Sequence, residues 1–367
     1  MFRPYFDLSE ALEKRLQSID EANECLRGLT FPPRRMKELK REALITSIYL
    51  IIQPEDHRVG YGRVARVLES MRKTSSDSTD RQIMNIRSAL KKVRSFSSTS
   101  SRFTEHDLKE VYSLLNGQPE EKRLTRWETW PYRNSPRPVL EETQKKIYTT
   151  APHEDIPSLM VDLLDWLEFE ACDLHPIIKA IVAYFQILIV RPFLEDNCRT
   201  AWFLFLSTLS KNGVDFGEYV SLEKSIFMDR RKFQNNVLNL VAATYNPKNF
   251  SESQFQSYIK YLLPSIEDTV TERRVWLDRE HLREVGEMLR KANLNERQRK
   301  ALSYVAQKGK ITNREYKELN GVRGRKRAWE ELTYLAKEEI LQRVGQGRNV
   351  AYELSPIMAP ETVLKHL

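Results

Sequence analysis

The densest group of chemically capable side chains lies in residues 191–199, which read RPFLEDNCR. This short stretch carries carboxylates at Glu195 and Asp196, an amide at Asn197 and a guanidinium at each end. It separates an apolar helix, predicted to end at Val190, from a second predicted helix. The free N–H groups and the dipole of a helix start favour a phosphate or another anion. The residue types and their position therefore indicate a site that binds an anion.

A strongly cationic segment lies near the C-terminus. Residues 290–356 contain 16 Lys+Arg and 8 Asp+Glu, and their net of +8 equals the formal charge of the whole 367-residue chain. A localised basic segment beside a neutral body indicates a polyanion, such as DNA, as its partner. A solvated lysine-rich face has the same composition, so charge alone leaves both interpretations open.

Length and composition narrow the class of protein. With 41% hydrophobic and 30% charged residues, the chain is typical of soluble globular proteins rather than disordered ones. Its length predicts two or three domains. Its three cysteines form no CxxC pair, which argues against a disulfide scaffold or a structural zinc site. The sequence shows neither an apolar signal segment nor a membrane-spanning run, so we expect a cytoplasmic location and no membrane partner.

Hydrophobic periodicity predicts a mainly α-helical chain. Thr104 suits the N-cap of one helix, and Pro157 suits the first position of another. The polar, proline-containing region 117–155 instead predicts a short β-hairpin that includes Val139 and Tyr148. The other predicted helices cover residues 1–30, 35–52, 81–93, 175–190, 199–210, 222–245 and 252–285.

Residues 175–202 read HPIIKAIVAYFQILIVRPFLEDNCRTAW. This segment resembles the core of the Fic (Fido) family, in which an apolar helix is followed by H-P-F-x-(D/E)-G-N-G-R-x-x-R. Residues 151–169 are similar to the segment that precedes that core helix. Residues 132–148 are similar to the hairpin, called the flap, that docks the target protein in this family. The resemblance implies a mainly α fold, with a Fic/Fido helical core and a short β-hairpin flap.

The resemblance also implies a chemistry, because Fic enzymes typically move AMP from ATP to a hydroxyl of a target protein. The family's histidine takes the proton of that hydroxyl, its acidic residue holds Mg²⁺, and its Gly-Asn-Gly-Arg run cradles the phosphates. Carried over by position, the resemblance makes Glu195 the metal ligand and a catalytic residue. It makes Asn197 a nucleotide- or anion-binding residue and Arg199 both anion-binding and catalytic. ATP and Mg²⁺ are expected only if the site still binds nucleotide.

Four positions depart from the family pattern. Arg191 stands where the histidine belongs, and a guanidinium remains protonated at physiological pH, so it cannot act as a general base. Asp196 and Cys198 replace the two glycines, and Trp202 replaces the final arginine. We therefore predict a site that does not transfer AMP. A nucleotide-binding transferase that works through Glu195 and Arg199 is the alternative, and anion binding by Arg191 without turnover is a third possibility.

Many Fic proteins also carry an inhibitory helix of the form (S/T)-x-x-x-E-(G/N). In residues 42–51, Thr46 and Ser47 fit this pattern, but Leu50 takes the place of the glutamate and Ile51 that of the last residue. The sequence therefore predicts that no carboxylate of this helix reaches an arginine.

Two other side chains in this region could carry chemistry. His175 precedes a proline at a helix start, which favours a structural role over that of a replacement base. Cys198 could be a nucleophile at a helix N-terminus, where thiol pKa values fall, but the neighbouring Glu195 and Asp196 oppose that shift.

Residues 290–356 are predicted to form a winged helix-turn-helix. The pattern Thr312-x-x-Glu315 is a capping box for a short second helix. A recognition helix follows, with Trp329, Leu332 and Leu335 on its core-facing side. Two strands, 341–344 and 350–354, flank a wing at residues 345–349. The predicted DNA contacts are Arg323, Arg325, Lys326, Arg327, Arg343 and Arg348. A protein-docking winged helix is the alternative.

The sequence thus predicts three domains. An N-terminal helical extension covers residues 1–103, a Fic/Fido core covers 104–284, and a small α+β winged-helix domain covers 285–367. The leading hypothesis is a non-catalytic, DNA-binding bacterial regulator. An AMP-transferring enzyme is the second hypothesis. The third is an interaction module that holds an extended peptide by strand addition at the flap around Val139 to Tyr148. A homodimer is a further expectation.

Overall fold

A computed structural model describes residues 2–53, 58–70, 76–96, 103–117, 132–136, 138–140, 146–228, 241 and 253–367. These residues are mainly helical. The helices preceding the central site are α1 (Glu10–Gly28), α2 (Pro33–Ile52), α3 (Tyr61–Glu69), α4 (Ser78–Ser95), α5 (Glu105–Leu115) and α6 (Ile156–Asp165). The next are α7 (Pro176–Val190), α8 (Asn197–Lys211), α9 (Lys224–Phe227) and α10 (Ser253–Lys291). The C-terminal helices are α11 (Glu296–Lys308), α12 (Asn313–Asn320), α13 (Arg325–Lys337) and α14 (Pro360–His366).

Two small antiparallel sheets complete the described fold. Strands β1 (Pro138–Leu140) and β2 (Lys146–Thr149) form a hairpin in which Val139 pairs with Tyr148, which confirms the predicted hairpin. The second sheet has the strand order β3-β5-β4, with β3 (Lys310–Thr312), β4 (Leu341–Val344) and β5 (Ala351–Leu354).

The chain divides into two compact units. The first unit comprises residues 1–27 and 40–271, and the second comprises 28–39 and 272–367. The three-domain division proposed from the sequence remains a prediction.

The core of the first unit is built on α7 and α8, which pack against each other. Every residue of α7 from Ile177 to Val190 is buried, because this helix is apolar around nearly its whole circumference. No helix in the described part of the chain is long and apolar enough to cross a membrane.

The core of the second unit gathers apolar side chains from α10 to α14 and from its sheet. Leu332 and Leu335 are fully buried there, as predicted. Trp329 was predicted on the same face, and that prediction was wrong, because its side chain is 52% exposed. Ala328, one position earlier, is buried instead and continues the stripe with Leu332 at a spacing of four.

Several predicted helix boundaries shift in the structure. The first helix begins at Glu10 rather than Met1. The preceding segment has a tertiary contact, since the backbone N–H of Asp7 donates to Gln256 Oε1 at 2.7 Å. The helix predicted at 199–210 begins at Asn197, and the one predicted to end at Val285 continues to Lys291. Of the helix predicted at 222–245, only residues 222–228 and 241 are described. Residues 224–227 form α9.

Candidate functional site

The loop between α7 and α8 is held by local backbone geometry. Helix α7 ends at Val190 and is capped by Arg191, which has a φ of 46° and whose N–H donates to the Ile187 carbonyl at 2.8 Å. A left-handed residue at a helix end reverses the chain sharply. Arginine takes this conformation at some energetic cost, because its Cβ crowds the backbone there.

Asn197 fixes the shape of this loop. Its Oδ1 accepts from the Phe193 N–H at 2.9 Å, and its Nδ2 donates to the Phe193 carbonyl at 2.8 Å. Both groups of the buried amide are thus used on the backbone of the loop. The ring of Phe193 is also buried and stacks on Tyr112, with ring centroids 4.2 Å apart. These contacts give Asn197 a positioning role, and its predicted role in anion binding remains a prediction.

Asp196 and Arg199 form a buried ion pair at the start of α8. Arg199 Nε donates to Asp196 Oδ1 at 3.0 Å, and Arg199 Nη2 donates to the same oxygen. The Arg199 side chain is only 5% exposed and the Asp196 side chain only 7%. Asp196 has a φ of 59°, a conformation that aspartate tolerates better than most residues. The guanidinium predicted to bind a phosphate therefore already faces a carboxylate of its own chain.

Arg133 ties the residues before the hairpin to this loop. Its backbone N–H donates to the Pro192 carbonyl at 2.8 Å, and its Nε donates to the Arg191 carbonyl at 2.8 Å. Other guanidinium nitrogens donate to the carbonyls of Ser135, Ala151 and Val190. A buried side chain that meets four carbonyls satisfies backbone groups that would otherwise lack partners. No local sequence pattern marks Arg133 as the residue that holds these segments together.

Tyr132 packs beside this loop and is itself closely bound. Its hydroxyl donates to Glu105 Oε1 at 2.6 Å, and its ring lies 5.7 Å from that of Phe193. Burial and the Glu105 carboxylate raise the pKa of Tyr132 well above its usual value. Its hydroxyl therefore remains protonated and acts as a donor. Strand addition by a peptide at the neighbouring hairpin remains a prediction.

Trp202 occupies the position of an arginine in the family pattern. It binds the carboxylate of Glu223, which was not among the predicted site residues. Its Nε1 donates at 3.1 Å to Oε1 of Glu223, a residue that is 2% exposed. Oε2 of the same carboxylate accepts from Ser47 on α2 at 2.6 Å and from Ser221 at 2.8 Å. Ser47 thus links helix α2 to Trp202 of α8 through the Glu223 carboxylate. Position 50 of α2, where the family's inhibitory helix has a glutamate, is a leucine.

The remaining predicted residues of this region differ in their surroundings. Glu195 is exposed, and its carboxylate has no hydrogen-bond partner among the described residues. Cys198 is partly buried and forms no disulfide. His175 caps α7, because its Nδ1 accepts from the Ile177 N–H at 3.1 Å, and its Nε2 lies 3.1 Å from Asp20. No group of three or more potential metal ligands occurs among the residues that the structure describes.

The predicted DNA contacts of the second unit lie at the start of α13 and around β4. Arg323, Lys326 and Arg327 are exposed, and so is Arg343 on β4. Arg325 is the first residue of α13, and Arg348 lies in a 3₁₀ turn between β4 and β5. The side chains of these last two residues are outside the described part of the structure.

Glu331 turns toward the interior of the second unit. Arg297 donates two hydrogen bonds to its carboxylate, and the Tyr316 hydroxyl donates a third at 2.6 Å. The arginine and the hydroxyl hold the pKa of Glu331 below its usual value, although partial burial opposes them. Burial and the Glu331 carboxylate raise the pKa of Tyr316. Glu331 therefore joins α11, α12 and α13 and contributes little negative charge to the exposed face of α13.

Comparison with known proteins finds a family match in the central region. The model of the Fic/DOC family matches residues 102–209. The protein adenylyltransferases Fic of Drosophila grimshawi and Drosophila persimilis are each 23% identical to this chain, over 206 and 208 residues. The alignments cover 55% of this chain and 40% and 38% of those relatives, so the chain spans less than half of their length.

Solved structures share the fold at low sequence identity. A Fic family protein from Desulfovibrio desulfuricans matches with a TM-score of 0.55 and 16% identity, over 96% of this chain and 98% of its own. A Fic-domain signaling protein from Bacteroides thetaiotaomicron matches with a TM-score of 0.57 and 19% identity, over 72% and 97%. The fold and the family match together define a Fic/Fido domain. In this protein the domain occupies residues 102–209.

Proposed function

We propose that this Fic-domain protein does not transfer AMP and that it binds DNA through its second unit. The first part rests on the buried Asp196–Arg199 pair. A phosphate that took the place of Asp196 on Arg199 would displace a carboxylate that is already within hydrogen-bond distance and largely buried. Breaking a buried ion pair costs several kcal/mol, which an anionic ligand would have to supply. The ion pair therefore opposes binding of the ATP phosphates at this helix start.

The replacement of the family histidine by Arg191 supports the same conclusion. General-base catalysis contributes about 10²–10⁴-fold to a rate, and a guanidinium cannot supply it. The backbone and aromatic contacts of Asn197 and Phe193 keep the loop folded without contributing a proton acceptor.

Nucleotide binding and transfer test this part directly. Thermal unfolding of the full chain with ATP and Mg²⁺ should give the same midpoint as without them, and labelled ATP should leave no label on protein. Loss of label in Glu195→Ala but not in the adjacent, exposed Leu194→Ala would instead establish transfer through Glu195. That result would overturn the proposal.

AMP transfer is the second candidate function. It is supported by the exposure of Glu195, which leaves a carboxylate available for Mg²⁺ beside the helix start. The relatives named protein adenylyltransferase Fic, which match about half of this chain, favour it as well. The same labelling experiment separates the two candidates.

For the second part, we propose that residues 296–354 form a winged helix. The order of elements supports this: three helices, with a strand between the first two, precede two antiparallel strands that join in one sheet. Helix α13 would be the recognition helix, and the β4–β5 connection would be the wing. In such domains the start of the recognition helix meets base edges, and flanking basic groups contact phosphates.

Exposed cations at the start of α13 carry the DNA-binding proposal. Lys326 and Arg327 have highly exposed side chains, and their ion pairs to Glu330 and Glu331 are long, at 3.8 and 3.7 Å. Glu331 is committed to Arg297 and Tyr316, as described above. Exposed pairs of this length contribute little energy, so a phosphate can replace them.

Two matched lysines provide the test. Lys326 and Lys14 are both exposed, and each faces a glutamate at a spacing of four on its own helix. Binding to a mixed-sequence duplex should weaken as salt rises, because phosphate contacts release counterions. Lys326→Glu should weaken binding about tenfold and flatten the salt slope by about one unit. Lys14→Glu, with the same charge change, should alter neither. A flat salt dependence in the parent protein would refute DNA binding.

A further inference from the structure

A cavity of about 300 Å³ lies in the first unit, away from residues 191–199. Its walls come from α2, α4, α8 and the segment that follows α8. Leucine and valine side chains such as Val93, Leu206, Leu209 and Leu222 form about half of the wall, and Arg94, Asp215 and Glu218 also line it. Ser47 and Glu223 provide a polar end. A mainly apolar pocket with a few convergent polar groups is the usual form of a small-molecule site, and this volume lies at the lower end of the usual range.

The Glu223 carboxylate at this polar end is buried and has only neutral donors. The donors are the indole of Trp202 and the hydroxyls of Ser47 and Ser221. In the part of the chain that the structure describes, no Lys, Arg or His nitrogen lies within 4 Å of this carboxylate. Burying a charge without a counter-ion is costly unless all of its acceptor positions are used. An ionised carboxylate offers about four such positions, and Oε1 accepts only one bond here.

The other two carboxylates of the cavity have cationic partners. Glu218 pairs with Lys40 at 3.2 Å and with Arg94 at 3.0 Å. Asp215 lies 3.7 Å from Arg27. A cation that entered the cavity would therefore gain most at Glu223, because the charges of the other two carboxylates are already balanced.

We propose that this cavity binds a small organic ammonium ion with an apolar body. An N–H of the ammonium group donates to Oε1 of Glu223, and the hydrocarbon part lies against the leucine and valine walls. A charge-assisted hydrogen bond is stronger than a neutral one, so charge selects the ligand. The proposal depends neither on AMP transfer nor on DNA binding.

Calorimetric titration of the full chain with 2-phenylethylamine and with neutral 2-phenylethanol tests this proposal. The two probes have similar size and shape but differ in charge. The amine should bind about tenfold more tightly, which corresponds to one charge-assisted hydrogen bond. Glu223→Gln keeps the shape of the side chain and should remove this preference. Glu218→Gln, at a carboxylate that is already paired, should keep it.

A second variant covers the case in which Glu223→Gln fails to fold. Leu206→Trp fills the cavity from a half-buried position and leaves Glu223 intact, so it should abolish binding of both probes. Three outcomes would overturn the proposal: no binding of the amine, equal affinity for amine and alcohol, or amine affinity that persists in Leu206→Trp.

Discussion

Two helix starts in this protein carry cationic side chains, and these differ in how far they are buried. At the start of α8, Arg199 is buried and binds Asp196 of its own loop. At the start of α13, Lys326 is 86% exposed and its glutamate partner is 3.8 Å away. From the sequence, both stretches look suited to anions. The difference shows that a cation is available to an outside ligand only when its own chain leaves it accessible.

The placement of nearby carboxylates produces this difference. Asp196 sits in a left-handed turn directly before α8, which brings its carboxylate to the guanidinium three residues later. Glu331 has the opposite effect on α13, since it turns toward Arg297 and Tyr316 in the interior. We call the start of α8 the closed helix start, because Asp196 pairs with its arginine. We call the start of α13 the open helix start, because Glu331 pairs with Arg297 and leaves the cations there exposed.

The strongest test of the closed helix start is Asp196→Asn. The substitution keeps the size of the side chain and its tolerance of a positive φ, but it removes the carboxylate charge that faces the buried Arg199. We expect a loss of about 3–5 kcal/mol in the free energy of unfolding, measured by urea denaturation. Glu10→Gln, which breaks an exposed pair with Lys14, should cost less than about 0.5 kcal/mol. Equal losses in the two variants would mean that the pair does not close the site.

Glu331→Gln tests how the open helix start is supported. Loss of charged hydrogen bonds to Arg297 and Tyr316 should destabilise the second unit by about 2 kcal/mol, read from hydrogen exchange in α11–α13. The folded pKa of Glu331 is below the unfolded one, so its contribution is present above about pH 4.5 and declines as the pH falls through the folded pKa. The deficit of the variant should therefore shrink in acid. Glu330→Gln, at an exposed neighbour, should show neither effect.

Gly345→Ala tests the turn after β4. Gly345 has a φ of 79°, and a Cβ at this position would lie 2.2 Å from the Asn349 carbonyl oxygen. Alanine is therefore strained and crowded there, and we expect a loss of more than about 1 kcal/mol in thermal or urea unfolding. Gly309→Ala also has a positive φ but meets no atom within 4 Å, so it should cost less. The reverse order would contradict the close approach in this turn.

The smallest expected effect is that of Lys326→Glu on stability. Because the lysine is exposed and its ion pair is long, urea denaturation should show a change below about 0.5 kcal/mol. Together with the DNA experiment above, this result would separate a binding role from a structural one. A large loss of stability would place Lys326 among the residues that hold the fold.

The helical fold could be predicted to a large extent from the sequence. Thr104 with Asp107, and Thr312 with Glu315, form capping boxes at the predicted helix starts, because capping depends on residues three positions apart. The apolar run to Val190 predicted a helix, and the structure shows that helix buried from Ile177 to Val190. Trp329 was placed wrongly, since a spacing of three from Leu332 is compatible with the buried stripe but does not require burial.

The sequence by itself determined the helices, the hairpin and the absence of a proton acceptor at Arg191, because these depend on residue type and on spacings of a few positions. Only the tertiary structure decided where the charges are balanced. It brought Arg133 to the carbonyls around Arg191, and Ser47 and Trp202 to Glu223. These partners lie tens of residues or more apart in the chain, and burial of the core, not local preference, sets their distances.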